Sequence, residues 1–397
     1  MLAERVAKFQ ALIYRRLPQR TEREERMLGR QPVGPKIGPS RRSRRVLIYR
    51  LGSIGDTLVA LPALKLIRRS LPGAEFALLT ARAGAPETGV PALLRGSGLA
   101  DTVIEYDVGE RHPAALLALR RQIRDFAPDL LVYLAEQRGL AAAWRDWLFF
   151  RLCGIPQIVG VPLTPDLVRH RCEAETGLCE AEAARLARTL APLGDARLDA
   201  PESWDPDLLP DEEEEAERRF AGWQGTADFI AACIGVRSPV RDWGEANWTA
   251  LFTRLAARTP SLGLMLLGGA ADRERSDRLA ALWPGPVLVS VQPNPRVHMA
   301  MLRRARMFVG VDSGPMHMAA AVGVPTVAIF AGNNLPGIWF PGNGRHSVLY
   351  HPTPCAGCAL SRCVEQRGAC LAGIGVDRVL EACTATLASA PPHRSKP

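Results

Sequence analysis

The chain holds 397 residues, 47 % hydrophobic and 23 % charged. That composition excludes wholesale disorder and leaves apolar material for two sizeable cores. No apolar run reaches the roughly 20 residues of a membrane-spanning helix; the best candidate, 318–332, is cut by Gly323 and Pro325. The net charge of +9 resides entirely in residues 1–45, where 13 Lys/Arg stand against 4 acids. A basic arm on a neutral body points to a membrane surface or an acidic partner and away from nucleic acid.

Residues 1–44 read as a basic amphipathic arm and linker. Leu2, Val6, Phe9, Ile13 and Leu17 fall on one helical stripe, flanked by Arg5, Lys8, Arg15 and Arg16. Such a helix either lies in the headgroup layer of an anionic leaflet or packs on the body or a partner. Residues 31–43 are rich in Pro and Gly and read as a linker. Charges scattered through residues 1–20 differ from a secretory signal, so a cytoplasmic chain is expected, with peripheral contact to the inner membrane surface through residues 1–20. Nine cysteines, unevenly spread, fit reduced thiols or a metal site better than a disulfide framework.

From residue 45 onward, short β-rich runs alternate with helical segments. Strands are predicted at 46–51, 76–80, 103–106, 129–134 and 158–161, with helices at 58–70, 113–126, 142–152 and 180–190. A break follows at 201–210, which holds three prolines and three acids, then a charged helix at 211–223. The alternation restarts with strands at 229–234, 262–267, 287–291, 307–311 and 326–330 and helices at 248–258, 272–282, 298–304 and 316–322. This pattern predicts parallel strands with crossover helices: two doubly wound α/β domains, 45–210 and 211–390, facing across a cleft. Ligands of such sheets bind beyond the carboxyl ends of the strands.

Four motifs carry chemistry. Leu51-Gly52-Ser53-Ile54-Gly55-Asp56 joins a strand to a helix, and Gly52 and Gly55 permit a tight turn and close approach of a ligand. Asp56, in the helix's first turn, either caps the helix or takes a proton from a bound hydroxyl. In Val311-Asp312-Ser313-Gly314-Pro315-Met316-His317 a strand passes directly into a helix. Ser313, Gly314 and the following N–H groups suit an anion at the helix start, and His317 lies one turn on. Arg237 and Arg241, in the loop after the second domain's first strand, either neutralise a diphosphate or sit in solvent. Cys355, Cys358, Cys363 and Cys370 crowd into 16 positions, as a tetrahedral thiolate set for structural zinc or iron or as reduced thiols packing a loop.

On these residues the chain resembles glycosyltransferase family 9, the ADP-heptose:lipopolysaccharide heptosyltransferases, over roughly residues 45–385. The carriers are Gly55-Asp56-x5-Pro62-Ala63, Arg241-Asp242-Trp243 with Trp248, and Asp312-Ser313-Gly314-Pro315-x-His317. The resemblance implies a GT-B fold with acceptor in the first domain and nucleotide sugar in the second. It implies inverting transfer of a heptose or related sugar from an ADP-sugar to a hydroxyl of a lipopolysaccharide or other surface glycan, with no cofactor needed for catalysis. Asp56 takes the place of the family's general base, and Asp312, Ser313, Gly314 and His317 that of its donor-phosphate motif. Arg241 stands where lysine is usual. Some relatives that glycosylate autotransporter proteins hold iron on a cysteine cluster, which Cys355, Cys358, Cys363 and Cys370 resemble. A protein acceptor, a sugar-nucleotide 2-epimerase and a non-catalytic nucleotide-sugar-binding protein remain as alternatives.

Overall fold

The computed structural model describes residues 44–83, 89–110, 112–221, 223, 228–291 and 294–390. The amphipathic arm and linker expected at 1–43 lie outside the described residues.

Five strands, β1 (Arg45–Arg50), β2 (Glu75–Ala81), β3 (Thr102–Tyr106), β4 (Leu130–Tyr133) and β5 (Gln157–Val159), form a parallel sheet in the order β3-β2-β1-β4-β5. Six more, β6 (Phe229–Cys233), β7 (Gly263–Leu267), β8 (Val287–Ser290), β9 (Met307–Val311), β10 (Thr326–Phe330) and β11 (His346–Tyr350), form a second parallel sheet, β11-β10-β9-β6-β7-β8. The central strands are buried on both faces, hence their near-continuous apolar sequences. Each sheet reverses its winding once, between β1 and β4 in the first and between β6 and β9 in the second. A crevice at the strand ends is therefore built into each lobe at those two points.

The helices, in chain order, are α1 (Ile54–Val59), α2 (Leu61–Ser70), α3 (Val90–Leu93), α4 (Pro113–Phe126), α5 (Leu140–Leu152), α6 (Pro165–Val168), α7 (Glu182–Thr189), α8 (Pro210–Phe220), α9 (Glu245–Arg258), α10 (Arg273–Ala280), α11 (Pro295–Leu302), α12 (Gly314–Ala321), α13 (Ala369–Ala372) and α14 (Val376–Ser389). The helix predicted at 58–70 is two helices. Ser53 caps α1 four residues earlier than hydrophobic periodicity suggested, and Pro62 in the first turn of α2 forces a new start after Ala60. Strand β11 and helix α14 lie beyond the predicted elements. Helix α14 packs on α9, β9 and β10, and its Val379, Leu380 and Cys383 join the core of the second sheet. That core is centred on Trp248, fully buried with its ring 5.0 Å from Trp243.

Two polar seams join the lobes. Arg296, 1 % exposed on α11, donates to the Glu212 carboxylate at 2.6 Å and to the carbonyls of Leu93, Pro206 and Asp207 at 2.9, 3.0 and 2.6 Å. Glu212 in turn accepts from the Leu209 N–H at the start of α8. The guanidinium thus leaves water with a counter-charge and three acceptors. In the second seam, Cys179 N–H donates to Pro336 O and Glu182 N–H to Ile338 O, at 2.8 and 2.9 Å. Gly337, at φ +99°, lies so close that a Cβ there would stand 1.9 Å from Cys179 O. One expectation is overturned nearby. Cys172 and Cys179 form a disulfide across a short antiparallel bridge, because the turn between them brings their backbones to a Cα separation of 3.9 Å. The remaining seven cysteines are free thiols.

Replacing Arg296 by Ala strands the Glu212 charge in the interior. Urea denaturation of Arg296→Ala is expected to show a loss of about 3–5 kcal/mol, part of which returns when Glu212→Gln is added.

Candidate functional site

Loops at the carboxyl ends of four strands build the site: after β1 and β4 in the first lobe, and after β6 and β9 in the second. They are the loops that flank the two points where the sheets reverse. The first turns of α1 and α12 touch. A Cβ on Gly55 would meet His317 Cδ2 at 3.1 Å and Gly314 Cα at 3.4 Å. Gly314 itself faces open space.

In the first lobe, the Ser53 hydroxyl accepts from the Asp56 N–H, and the Asp56 carboxylate accepts from the Ser53 N–H, closing a capping box. The capping expectation for Asp56 is therefore met, one of its carboxylate oxygens closing the turn. Gly52, at φ +132°, shows how crowded this corner is. A Cβ there would lie 2.6 Å from Glu136 Oε1, 2.9 Å from Asp56 Cβ and 3.0 Å from Arg50 Nη2. Three charged side chains thus converge over one glycine. Arg50 is wholly buried and is held by Leu134 O and Thr57 Oγ1. Burial opposes the Asp56 charge, but the Ser53 hydroxyl, Arg50 and the Ser53 amide outweigh it and hold this carboxyl below the usual range. Glu136 shows the opposite behaviour. Burial, then the adjacent Asp56 charge, lift it to about 7 against the pull of Arg50. A proton taken up by this pair as pH falls towards and below about 7 therefore sits on Glu136 and not on Asp56.

Sequence reasoning missed Glu136 and Arg50. Glu136 lies three residues past the end of β4, and only knowledge that β1 and β4 are neighbours brings it to Asp56. Its loop is pinned by Arg138, which donates to Tyr49 Oη and Asp146 Oδ2 at 3.4 and 3.5 Å. A second tie is Arg185, which donates to Ala135 O at 3.2 Å and to the buried Glu182 carboxylate, itself 2.8 Å from His170 Nε2.

In the second lobe, Asp312 directly follows β9 and Ser313 is the N-cap position of α12. Arg241 Nη1 lies 3.3 Å from Asp312 Oδ2 and 3.4 Å from Asp312 O, so this arginine reaches the helix start. Burial raises Asp312 to about 6, opposed by Arg241 and aided by Asp56. Burial lowers His317 to about 4, with Asp56 opposing, so at neutral pH the imidazole offers one hydrogen bond and no charge. Arg241 Nε and Asn333 Oδ1 are buried and unpaired, as polar atoms that complete their bonds with a ligand are. Arg237, four residues before Arg241 in the same loop, is exposed, and among the described residues it makes no hydrogen bond or ion pair.

Among the described residues no three His, Cys, Asp or Glu side chains are placed to hold a metal. Cys355 Sγ lies 3.5 Å from Thr353 Oγ1, and Thr353 and the buried Cys370 both border Gly332. Cys363 Sγ accepts from the Gly368 N–H at 3.4 Å.

A family model described as glycosyltransferase family 9 (heptosyltransferase) matches residues 182–368. Lipopolysaccharide heptosyltransferase 1 of Pseudomonas aeruginosa is 28 % identical over 343 residues, covering 81 % of this chain and 88 % of that protein. A glycosyltransferase family 9 structure from Veillonella parvula superposes with TM-score 0.65 at 16 % identity, over 89 % of this chain and all of that one (100 %). The E. coli ADP-heptose LPS heptosyltransferase II structure superposes with TM-score 0.59 at 17 % identity, over 87 % and 98 %. The two parallel α/β lobes of this chain thus have the GT-B fold of those structures. Residues 182–368 are similar to glycosyltransferase family 9.

The raised Glu136 pKa has a consequence for stability. Between the ordinary carboxyl value of 4.5 and about 7 the folded state holds a proton that the unfolded state releases, so stability falls as pH rises through that window. Glu136→Gln removes this dependence. Relative to the variant, the wild type is expected to lose about 1–3 kcal/mol between pH 4.5 and 7.5, read by urea titration at each pH.

Proposed function

We propose that the chain transfers a heptose, with inversion, from ADP-heptose to a hydroxyl of a lipopolysaccharide acceptor. Support for the sugar comes from the description of the matching family and from the Pseudomonas aeruginosa relative. The observation that carries the reaction class is the direct approach of the Gly55-Asp56 turn to the Gly314–His317 turn. It sets a carboxylate on one lobe against an anion-binding helix start on the other.

The proposed chemistry follows from those groups. The donor diphosphate lies at the N-terminus of α12, where the helix dipole favours negative charge, with Arg241 beside it and His317 donating a hydrogen bond. The acceptor hydroxyl lies against Asp56. As the acceptor oxygen bonds to the anomeric carbon, the bond from that carbon to the phosphate oxygen breaks on the opposite face. Asp56, kept ionised by Ser53 and Arg50, accepts the hydroxyl proton. Arg241 and the helix start stabilise the charge that grows on the departing diphosphate. Glu136, already carrying the pair's proton, donates it towards Asp56 and so keeps that carboxylate aimed. Packing of the two turns excludes water that would otherwise hydrolyse the donor. Asp312 and Ser313 shape the phosphate site, and Gly52, Ser53 and Gly55 shape the acceptor loop.

Two measurements test this. In a thermal-shift panel of ADP-, GDP-, UDP- and TDP-sugars, ADP-heptose alone is expected to raise the melting temperature; an equal response to all would remove the donor assignment. Asp56→Asn preserves the size of the side chain and removes the base. It is expected to lower kcat by about 10²–10⁴-fold with the donor KM little changed, and full turnover would exclude Asp56 as base.

A further inference from the structure

Helix α5 carries apolar side chains on two opposite faces. One face carries Ala143 and Phe150 into the first core, with buried Asp146 tied to Tyr133 Oη at 2.9 Å. The opposite face carries Leu140, Trp144, Leu148 and Leu152, spaced by four and 36, 47, 53 and 61 % exposed. Four large apolar groups in one stripe are uncommon on a free surface, where such residues normally stand singly. Helix α4 extends the patch: Arg120 Nε donates to Leu152 O at 3.0 Å, and Leu116, one turn before Arg120, is 36 % exposed.

The charge around the stripe selects its partner. Helices α4 and α5 carry Arg120, Arg121, Arg124, Arg145 and Arg151 against Asp125 and the buried Asp146. A second copy of this face would bring the same arginines together, and residues 1–45, with their excess of +9, carry the same sign. An apolar stripe rimmed by arginines matches an anionic lipid surface, with the leucines and Trp144 in the acyl boundary and the guanidinium groups among the headgroups. Among the described residues no helix is long and apolar enough to cross a membrane, so contact through this face is peripheral. Leu140 stands four residues after Glu136, so the stripe begins beside the loop that supports Asp56.

We propose that the Leu140-Trp144-Leu148-Leu152 face of α5 docks the enzyme on an anionic bilayer and presents the Asp56 side of the site to a lipid-linked acceptor. The second half of this statement rests on the acceptor proposed above; the docking itself does not. Residues 1–43 contain no tryptophan, which separates docking by this helix from binding by the basic arm. The full chain is mixed with vesicles of brominated phosphatidylcholine and phosphatidylglycerol, and tryptophan emission is followed. Quenching is expected in the wild type. It should largely disappear in Trp144→Phe, and Leu148→Glu should weaken vesicle sedimentation by about tenfold with the melting temperature unchanged. Vesicle binding without quenching, or quenching unaltered by Trp144→Phe, assigns the contact to the arm and overturns the proposal. So does shielding of Trp144 from acrylamide without lipid, or a dimer abolished by Leu148→Glu. Because no donor is present, failure here leaves the transferase proposal standing, and failure of the donor panel leaves the docking intact.

Discussion

The first turns of α1 and α12 meet almost in van der Waals contact, and this constraint governs the rest of the site. Each helix start carries a partial positive charge of roughly half a unit, so bringing two together costs energy unless negative charge lies between or beside them. Asp56 and Asp312 supply it from the two sides. The approach itself is possible because Gly55 lacks the Cβ that would meet His317 and Gly314. The same arrangement that needs negative charge is one that receives a diphosphate well. Function and stability therefore draw on one electrostatic demand.

Buried polar seams join the lobes beside an apolar cluster of Val59, Ala183, Trp204 and Trp339. Arg296 gathers a carboxylate and three carbonyls from the first lobe and the chain that joins it to the second. The strand-like contact of residues 179–182 with 336–338 adds backbone hydrogen bonds, which tolerate no side chain at Gly337. Both devices are directional. They specify how the lobes meet as well as that they meet, and a mismatch would leave buried charge or backbone unsatisfied.

Carboxylates in the site are sorted by environment. Asp56 and Glu136 share one corner and both are desolvated, yet the Ser53 cap goes to Asp56 and the Asp56 charge acts on Glu136, so their affinities for protons separate. Pairs of titratable groups driven apart in this way are characteristic of sites that handle protons. His317 and Asp312 are likewise moved towards their neutral forms by burial, which leaves Arg241 as the cation at the start of α12.

Local sequence determined much of this protein. Alternating apolar runs and helical stripes are repeated every few residues, so the parallel strands of both lobes and the motifs at Gly55-Asp56 and Asp312–His317 were legible one segment at a time. Arg241 was legible as a cation beside a strand end. The partners of those motifs were decided by tertiary structure. Glu136 joins Asp56 only because β4 is laid beside β1, 80 residues apart in the chain, and Arg50 counts only because it is buried between them. Arg237 and Arg241 looked alike in the sequence, and only the folded loop shows that Arg241 reaches Asp312 at the start of α12. The cysteine run shows the converse: close spacing brings sulfurs near in sequence, but ligation needs side chains that converge, and among the described residues no group of three does. Periodicity is a property of neighbouring residues, and a short segment contains it whole. Convergence of charges depends on strand order and burial, which exist only once the sheets have formed.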